Sequence, residues 1–249
     1  MRKLRYCASH LNKALTVSGV LKLADYINKN ILSQAYIHIE PKKLKSKDEL
    51  QQFKVELEAF ARQRIGFFLS PDLPIEIEFE EGSLIARITV LGTISVLFQF
   101  ISGYKDFREG IQLIYSDAKR VTDYIISHTT FESGSRQQDV IRLEARVGII
   151  GSIQKSINQL ETIKRGASGG MLAEDVSRKI DDAITDLQKL MDNINDTDDK
   201  QLVGAGLREI AGEIPNQPKA PKDKLNSPEA ILSFQRRRRR LMGHLAQYS

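Results

Sequence analysis

LIARITVLGTISVLFQFISGY, running from Leu84 to Tyr104, contains a single charge, Arg87, in a stretch of bilayer-spanning length. As one helix it could cross the roughly 30 Å of hydrocarbon in a membrane. Upstream, IEIEFE from Ile75 to Glu80 alternates strictly, so Ile75, Ile77 and Phe79 face a core while Glu76, Glu78 and Glu80 face water. Glu81, Gly82 and Ser83 suit a turn, and Leu84 to Val90 can return as the second strand of a hairpin. Leu91 to Tyr104 is then too short for a span and suits a buried core helix. The two alternatives compete for the same residues. In the membrane alternative Arg87 snorkels to an interface, and Gly92, Thr93, Ser95, Phe98, Gln99 and Ser102 are candidates for a helix contact or a pore lining.

On the amino-terminal side, Leu11, Leu15, Val20, Leu23 and Ile27 predict a helix over Ala8 to Asn30. Ala35 to Ile39 alternates as a strand that ends before Pro41, and a basic loop follows over Lys42 to Lys47. Ser46 and Glu49 form a capping-box pattern for a helix carrying Leu50, Phe53, Leu57, Phe60 and Ile65, stopped by Ser70 ahead of Pro71 and Pro74. On the carboxyl side, apolar residues three and four apart predict helices from Gly103 to His128, Arg136 to Lys164 and Met171 to Ile194. Their narrow stripes suit a bundle or coiled coil, within one chain or between subunits.

Asn195 to Lys200 reads as an acidic break, and the glycines, prolines and lysines that follow predict a mobile linker. Ser227, Pro228 and Glu229 signal a last helix start. The fold class expected is therefore α+β and mostly helical: a small hairpin, an apolar helix, then long amphipathic helices. Four regions are expected: 1–70, helical with a short strand; 71–195, hairpin, apolar segment and bundle; 196–226, linker; 227–249, an arginine-rich helix.

The 249 residues are 41% hydrophobic, enough to build a core, which excludes global disorder. Cys7 is the only cysteine, so no intrachain disulfide or multi-cysteine metal site can form. Met1 to Tyr6 holds Arg2, Lys3 and Arg5, but no h-region and cleavage site follow; the expected location is the cytoplasm or the bacterial inner membrane. The net charge of +5 is uneven: residues 227–249 hold five arginines and one acid, leaving 32 bases against 31 acids elsewhere. Arg236, Arg237, Arg238, Arg239 and Arg240 are thus the phosphate-binding candidates, toward nucleic acid or lipid headgroups. Five consecutive positions subtend more than one helical turn and cannot share a face. As a separate appendage, this end should be removable without harm to the fold.

Catalytic signals are thin, and neither a catalytic residue nor a cofactor or metal is expected. His10, His38, His128 and His244 are scattered singly, without ligand-spaced partners. GASGG from Gly166 to Gly170 matches G-x-S-x-G, but a helix precedes Ser168 where a nucleophile elbow needs a strand. Asp192 to Asp199 lacks the oxygen-ligand pattern and turn glycine of a calcium loop. No Walker loop or strand-linked G-x-G-x-x-G is present.

From Ile75 to Tyr124, the segment beginning IEIEFEEGSLIARITVLGTISVLFQFISGYKDFREGIQLIYSDAKR resembles the membrane effectors of Hailong-type anti-phage defence. The resemblance rests on an acidic strand, an E-G-S turn, an apolar stretch and a G-x-x-x-F-R-x-G-like helix start. It implies a homo-oligomeric, channel-like effector that depolarises the membrane. Such an effector is held inactive by short single-stranded deoxyadenylate oligomers, made by a nucleotidyltransferase encoded nearby. Arg87 within the apolar stretch is a departure from an ordinary span. The leading expectation is a non-enzymatic, oligomeric effector on an anionic membrane under control of an anionic ligand. The alternative is a soluble nucleic-acid-binding or adaptor protein using its arginine-rich end.

Overall fold

A computed structural model describes residues 30–41, 44, 46–80, 84–101 and 105–249. The helix expected over Ala8 to Asn30 lies outside the described residues except for Asn30, as do the Glu81–Ser83 turn, most of the basic-loop lysines, His10 and Ser102. The chain is α+β and mostly helical, with a four-stranded antiparallel sheet.

The strands are β1 (Ile31–Ile39), β2 (Ile75–Glu80), β3 (Leu84–Leu91) and β4 (Val140–Arg146), in the order β2-β3-β1-β4. Alternation fixes two unlike faces. Ala35, Ile37 and Ile39 of β1 sit opposite Ile88, Ala86 and Leu84 of β3, and all six are buried. This apolar face is covered by helices. The other face carries Glu78, Arg87, Tyr36 and Glu144 in one row across the four strands.

Helix α1 (Lys47–Phe68) starts on the predicted capping box: Ser46 Oγ accepts from the Glu49 amide at 3.1 Å, and Glu49 accepts from the Ser46 amide at 3.0 Å. It buries Phe53, Leu57, Ala61 and Ile65, a stripe at helical spacing. The stretch from Leu84 resolves into β3 and a short α2 (Ile94–Phe100). A single helix over residues 84–104 is thereby excluded, because Leu84, Ala86, Ile88 and Val90 are needed to bury the sheet face. Among the described residues, no helix is long and apolar enough to cross a membrane. Helix α3 (Phe107–Glu132) is capped by Asp106, whose carboxylate accepts from the Glu109 amide at 2.9 Å.

Two expectations are corrected. The helix expected over Arg136 to Lys164 is split into β4 and α4 (Gly148–Ala167). Val140, Leu143 and Val147 satisfy helical spacing, but β1 needs a second partner, and Leu143 pairs with Ile37. Gly148 makes the break possible: its φ is 46°, and a Cβ there would lie 2.3 Å from the Ile31 carbonyl oxygen. After α5 (Ala173–Asn193), the linker expected over 196–226 is helical in its first half, as α6 (Thr197–Gly212). Gly204 and Gly206 let α6 pack closely: a Cβ on Gly206 would fall 2.2 Å from Phe107 Cγ, and one on Gly204 would fall 2.6 Å from Tyr248 Cβ. Asp196 caps α6, accepting from the Asp199 amide at 2.9 Å.

Candidate polyanion-binding face

The last helix, α7 (Pro228–Leu245), begins as the sequence predicts, with Ser227 Oγ accepting from the Ala230 amide at 3.1 Å and Pro228 in the first turn. Phe234, Leu241 and Leu245 form one stripe and are fully buried, against α5 and α6. The end is therefore part of the core, and its removal would strip an apolar face rather than leave the fold intact.

That stripe sorts the arginine run. Arg237 faces α5, where its Nε donates to Asp181 Oδ2 at 2.5 Å and its guanidinium also reaches Ser233 Oγ. Arg238 turns to the end of α6, donating from Nε to the Ile214 carbonyl at 2.8 Å, with Gly212 O at 3.4 Å from its terminal nitrogen. A cation there meets the carbonyls and the negative dipole end of α6. Arg236, Arg239 and Arg240 are exposed and form no ion pair with any described residue. Their charge is available to an outside partner.

Arg240 also lines a groove of about 650 Å³ between α5 and α7, with Thr185, Gln188, Lys189, His244 and Gln247. A neighbouring hollow of about 380 Å³ shares Ile184, Thr185 and Arg240 and adds Arg236 together with Ser233 and the paired Asp181 and Arg237. Burial holds the His244 imidazolium below its ordinary range, Arg240 pushes in the same direction and Asp192 opposes it. The ring packs edge-on against Tyr248, with centroids 5.5 Å apart. Cationic side chains and amides thus line the groove, with His244 biased toward its neutral form.

The other charged surface, the polar sheet face, is internally balanced. Arg87, only 9% exposed, donates to Glu80 at 2.5 Å and lies 3.6 Å from Glu78. Arg87, Arg142 and Arg146 surround the Tyr36 ring, 4.8–5.6 Å from its centroid. Burial pushes the Glu144 carboxyl up, but hydrogen bonds from Arg146 and Arg142 outweigh it and hold the group below the usual carboxylate range. These arginines are committed to acids on the same face.

The residues proposed for a pore fall in separate settings. Arg87 belongs to the sheet face, and Gly92 joins β3 to α2 beside Leu73 and Leu32. Thr93 caps α2, Ser95 hydrogen-bonds Thr93, Phe98 stacks on Phe107 at 5.7 Å and Gln99 is exposed. Asp199, which sequence reasoning placed in an acidic break, is 5% exposed and accepts from the Ile94 and Ser95 amides at 2.7 and 2.8 Å. It satisfies the start of α2 from α6, and the contact spans 105 residues, beyond any local signal. Ser168 ends α4, donating to the Lys164 carbonyl at 2.8 Å. His128 stacks face to face on Phe60 at 3.8 Å.

Comparison with family models, with curated proteins and with solved structures finds no match.

Proposed function

We propose that this chain is a non-enzymatic binding protein for nucleic acid, gripping backbone phosphates through Arg236, Arg239 and Arg240. The observation that supports it is the division of the arginine run: two members are spent on Asp181 and the end of α6, and three stand exposed without an ion pair to any described residue, on a helix anchored by Phe234, Leu241 and Leu245. A guanidinium on a fixed helix loses little freedom when it meets phosphate, and each phosphate neutralised releases counterions. No aromatic residue stands among the three arginines, so this face grips backbone rather than reads bases. The deoxyadenylate oligomer implied by the Hailong-type resemblance belongs to this ligand class.

Fluorescence anisotropy with a labelled deoxyadenylate 12-mer, titrated from low to high salt, tests the proposal. Replacing Arg236, Arg239 and Arg240 by Gln should flatten the slope of log K against log salt by about 2, at about 0.7 per phosphate for a single strand. An unchanged slope and affinity in that variant would overturn it.

A further inference from the structure

Helices α1 and α3 meet along an aromatic edge remote in sequence from α7. Phe60 stacks on His128, with centroids 3.8 Å apart, and Phe68 stacks on Tyr124 at 5.7 Å. Phe67 meets Phe68 edge-on at 4.9 Å. Between the stacked pairs lies Arg64, its guanidinium 5.1 Å from the Phe60 centroid and 5.6 Å from that of Tyr124. Among the described residues, Arg64 forms no ion pair and its Nε has no hydrogen-bond partner.

Phe60 and Phe68 are half-buried and pack against the core, whereas Phe67, Tyr124 and Phe131 stand outside it. Phe67 and Phe131 are each 78% exposed and Tyr124 is 48% exposed, although both helices have fully buried stripes elsewhere. Burial therefore does not account for them. Tyr124 to Phe131 spans about 10 Å along α3 at 1.5 Å per residue, the length of about three stacked nucleotides at 3.4 Å each.

We propose that this edge is a stacking platform for the unpaired bases of single-stranded nucleic acid, with Arg64 meeting a phosphate between them. The proposal rests on the nucleic-acid reading of α7 and narrows its ligand to a single strand, because only unpaired bases offer their faces to aromatic side chains. The Arg64 guanidinium is the cation this edge offers a phosphate, while Glu132, next to Phe131 in the chain, lines a separate acidic hollow with Asp48, Glu49 and Glu56. A bilayer fits less well, since Arg64, Tyr124 and His128 interrupt the apolar surface between Phe67 and Phe131.

The test uses the full chain and a deoxyadenylate 12-mer carrying one 2-aminopurine, whose fluorescence reports stacking, beside a duplex of the same length. Phe67→Ser with Phe131→Ser changes only exposed rings, and an unchanged urea midpoint confirms that the fold is kept. Single-strand affinity should fall about tenfold or more, the stacking signal should be lost, and duplex binding should stay as it was. Arg64→Gln should weaken the single strand alone. Unchanged affinity and stacking signal in the double variant, with the salt slope still flattened in the α7 triple variant, overturns the platform and leaves the α7 reading standing. The converse, loss in the platform variant and none in the α7 variant, supports the platform and sinks the α7 reading. Loss of binding to vesicles containing phosphatidylserine, with DNA binding untouched, overturns the platform in favour of a membrane contact.

Discussion

Gly206→Ala separates a packed α6 from a flexible connection. In an exposed helix interior the change favours folding by about 1 kcal/mol, because alanine has less backbone freedom to lose. At Gly206 the new methyl would stand 2.2, 2.4 and 2.6 Å from Cγ, Cδ1 and Cδ2 of Phe107. Ordinary contact needs about 3.5–4 Å, so more than 1 Å of movement is required. The root of the ring is the part least able to move. Phe107 stands at the start of α3, nearly buried, and its ring lies parallel to Phe98 at 5.7 Å. Overpacking of this kind costs about 1–3 kcal/mol, and this contact belongs at the upper end. The net expectation is a loss of about 1–2 kcal/mol after the propensity gain. Gly243→Ala is the control: in mid-α7, a Cβ there meets nothing within 4 Å, so the same substitution should stabilise by about 1 kcal/mol. Urea unfolding followed by circular dichroism reads both. If Gly206→Ala is as stabilising as Gly243→Ala, α6 does not press on Phe107 and the packing account fails.

Other expectations follow from the same contacts. Asp199→Ala leaves the Ile94 and Ser95 amides without their shared acceptor and should cost about 3 kcal/mol in urea unfolding; a loss below half of that would mean that water or Thr93 replaces the carboxylate. Phe234→Ala should cost about 3–4 kcal/mol, because the ring is fully buried, and a Tm equal to that of the unaltered protein would show that α7 is an appendage. The His244 imidazole takes its proton less readily folded than unfolded, so its contribution to stability is complete above the ordinary value of 6.5 and is lost as pH falls below it. Tm should therefore decline between pH 7.5 and 5.5, less steeply in His244→Gln, and equal slopes for the two proteins would remove this assignment. Arg237→Gln with Arg238→Gln should lower the urea midpoint yet leave the salt slope of oligonucleotide binding unchanged, and a flattened slope would place those two arginines on the ligand.

Where a signal is local, the sequence reading and the structure agree. The capping box at Ser46 and Glu49, the alternation of Ile75 to Glu80 and the Ser227-Pro228-Glu229 start each involve neighbours within a few residues, and each forms as expected. Disagreement arises where the deciding partner is distant. Val140, Leu143 and Val147 are spaced for a helix, yet β4 forms on β1, and a register shift there sets Val140 opposite Ile39 and Leu143 opposite Ile37. A glycine in a sequence signals freedom or close approach equally well; only the Phe107 ring shows that Gly206 serves the second. The aromatic edge goes unread: Phe60 counts toward the core stripe of α1 in the sequence, and Tyr124 and His128, which complete the edge, arrive from another helix.

The arginine run shows why counting charge along a chain overstates what a ligand meets. Successive residues turn by about 100° around a helix, so five adjacent arginines are dealt to every side of α7. Phe234, Leu241 and Leu245 decide which side is inside. Arg237 and Arg238 flank that buried side, where a guanidinium needs partners, and they find Asp181 and the final carbonyls around α6. Arg236, Arg239 and Arg240 fall where water solvates them and form no ion pair with a described residue, since Asp181, which lines the hollow shared by Arg236 and Arg240, is paired with Arg237. A truncation that deletes the run removes the anchor and the binding charge together, so loss of binding in it would carry no information about phosphate contacts. Substitutions divided between the two sets of arginines separate the roles, because one set should move the unfolding midpoint and the other the salt dependence.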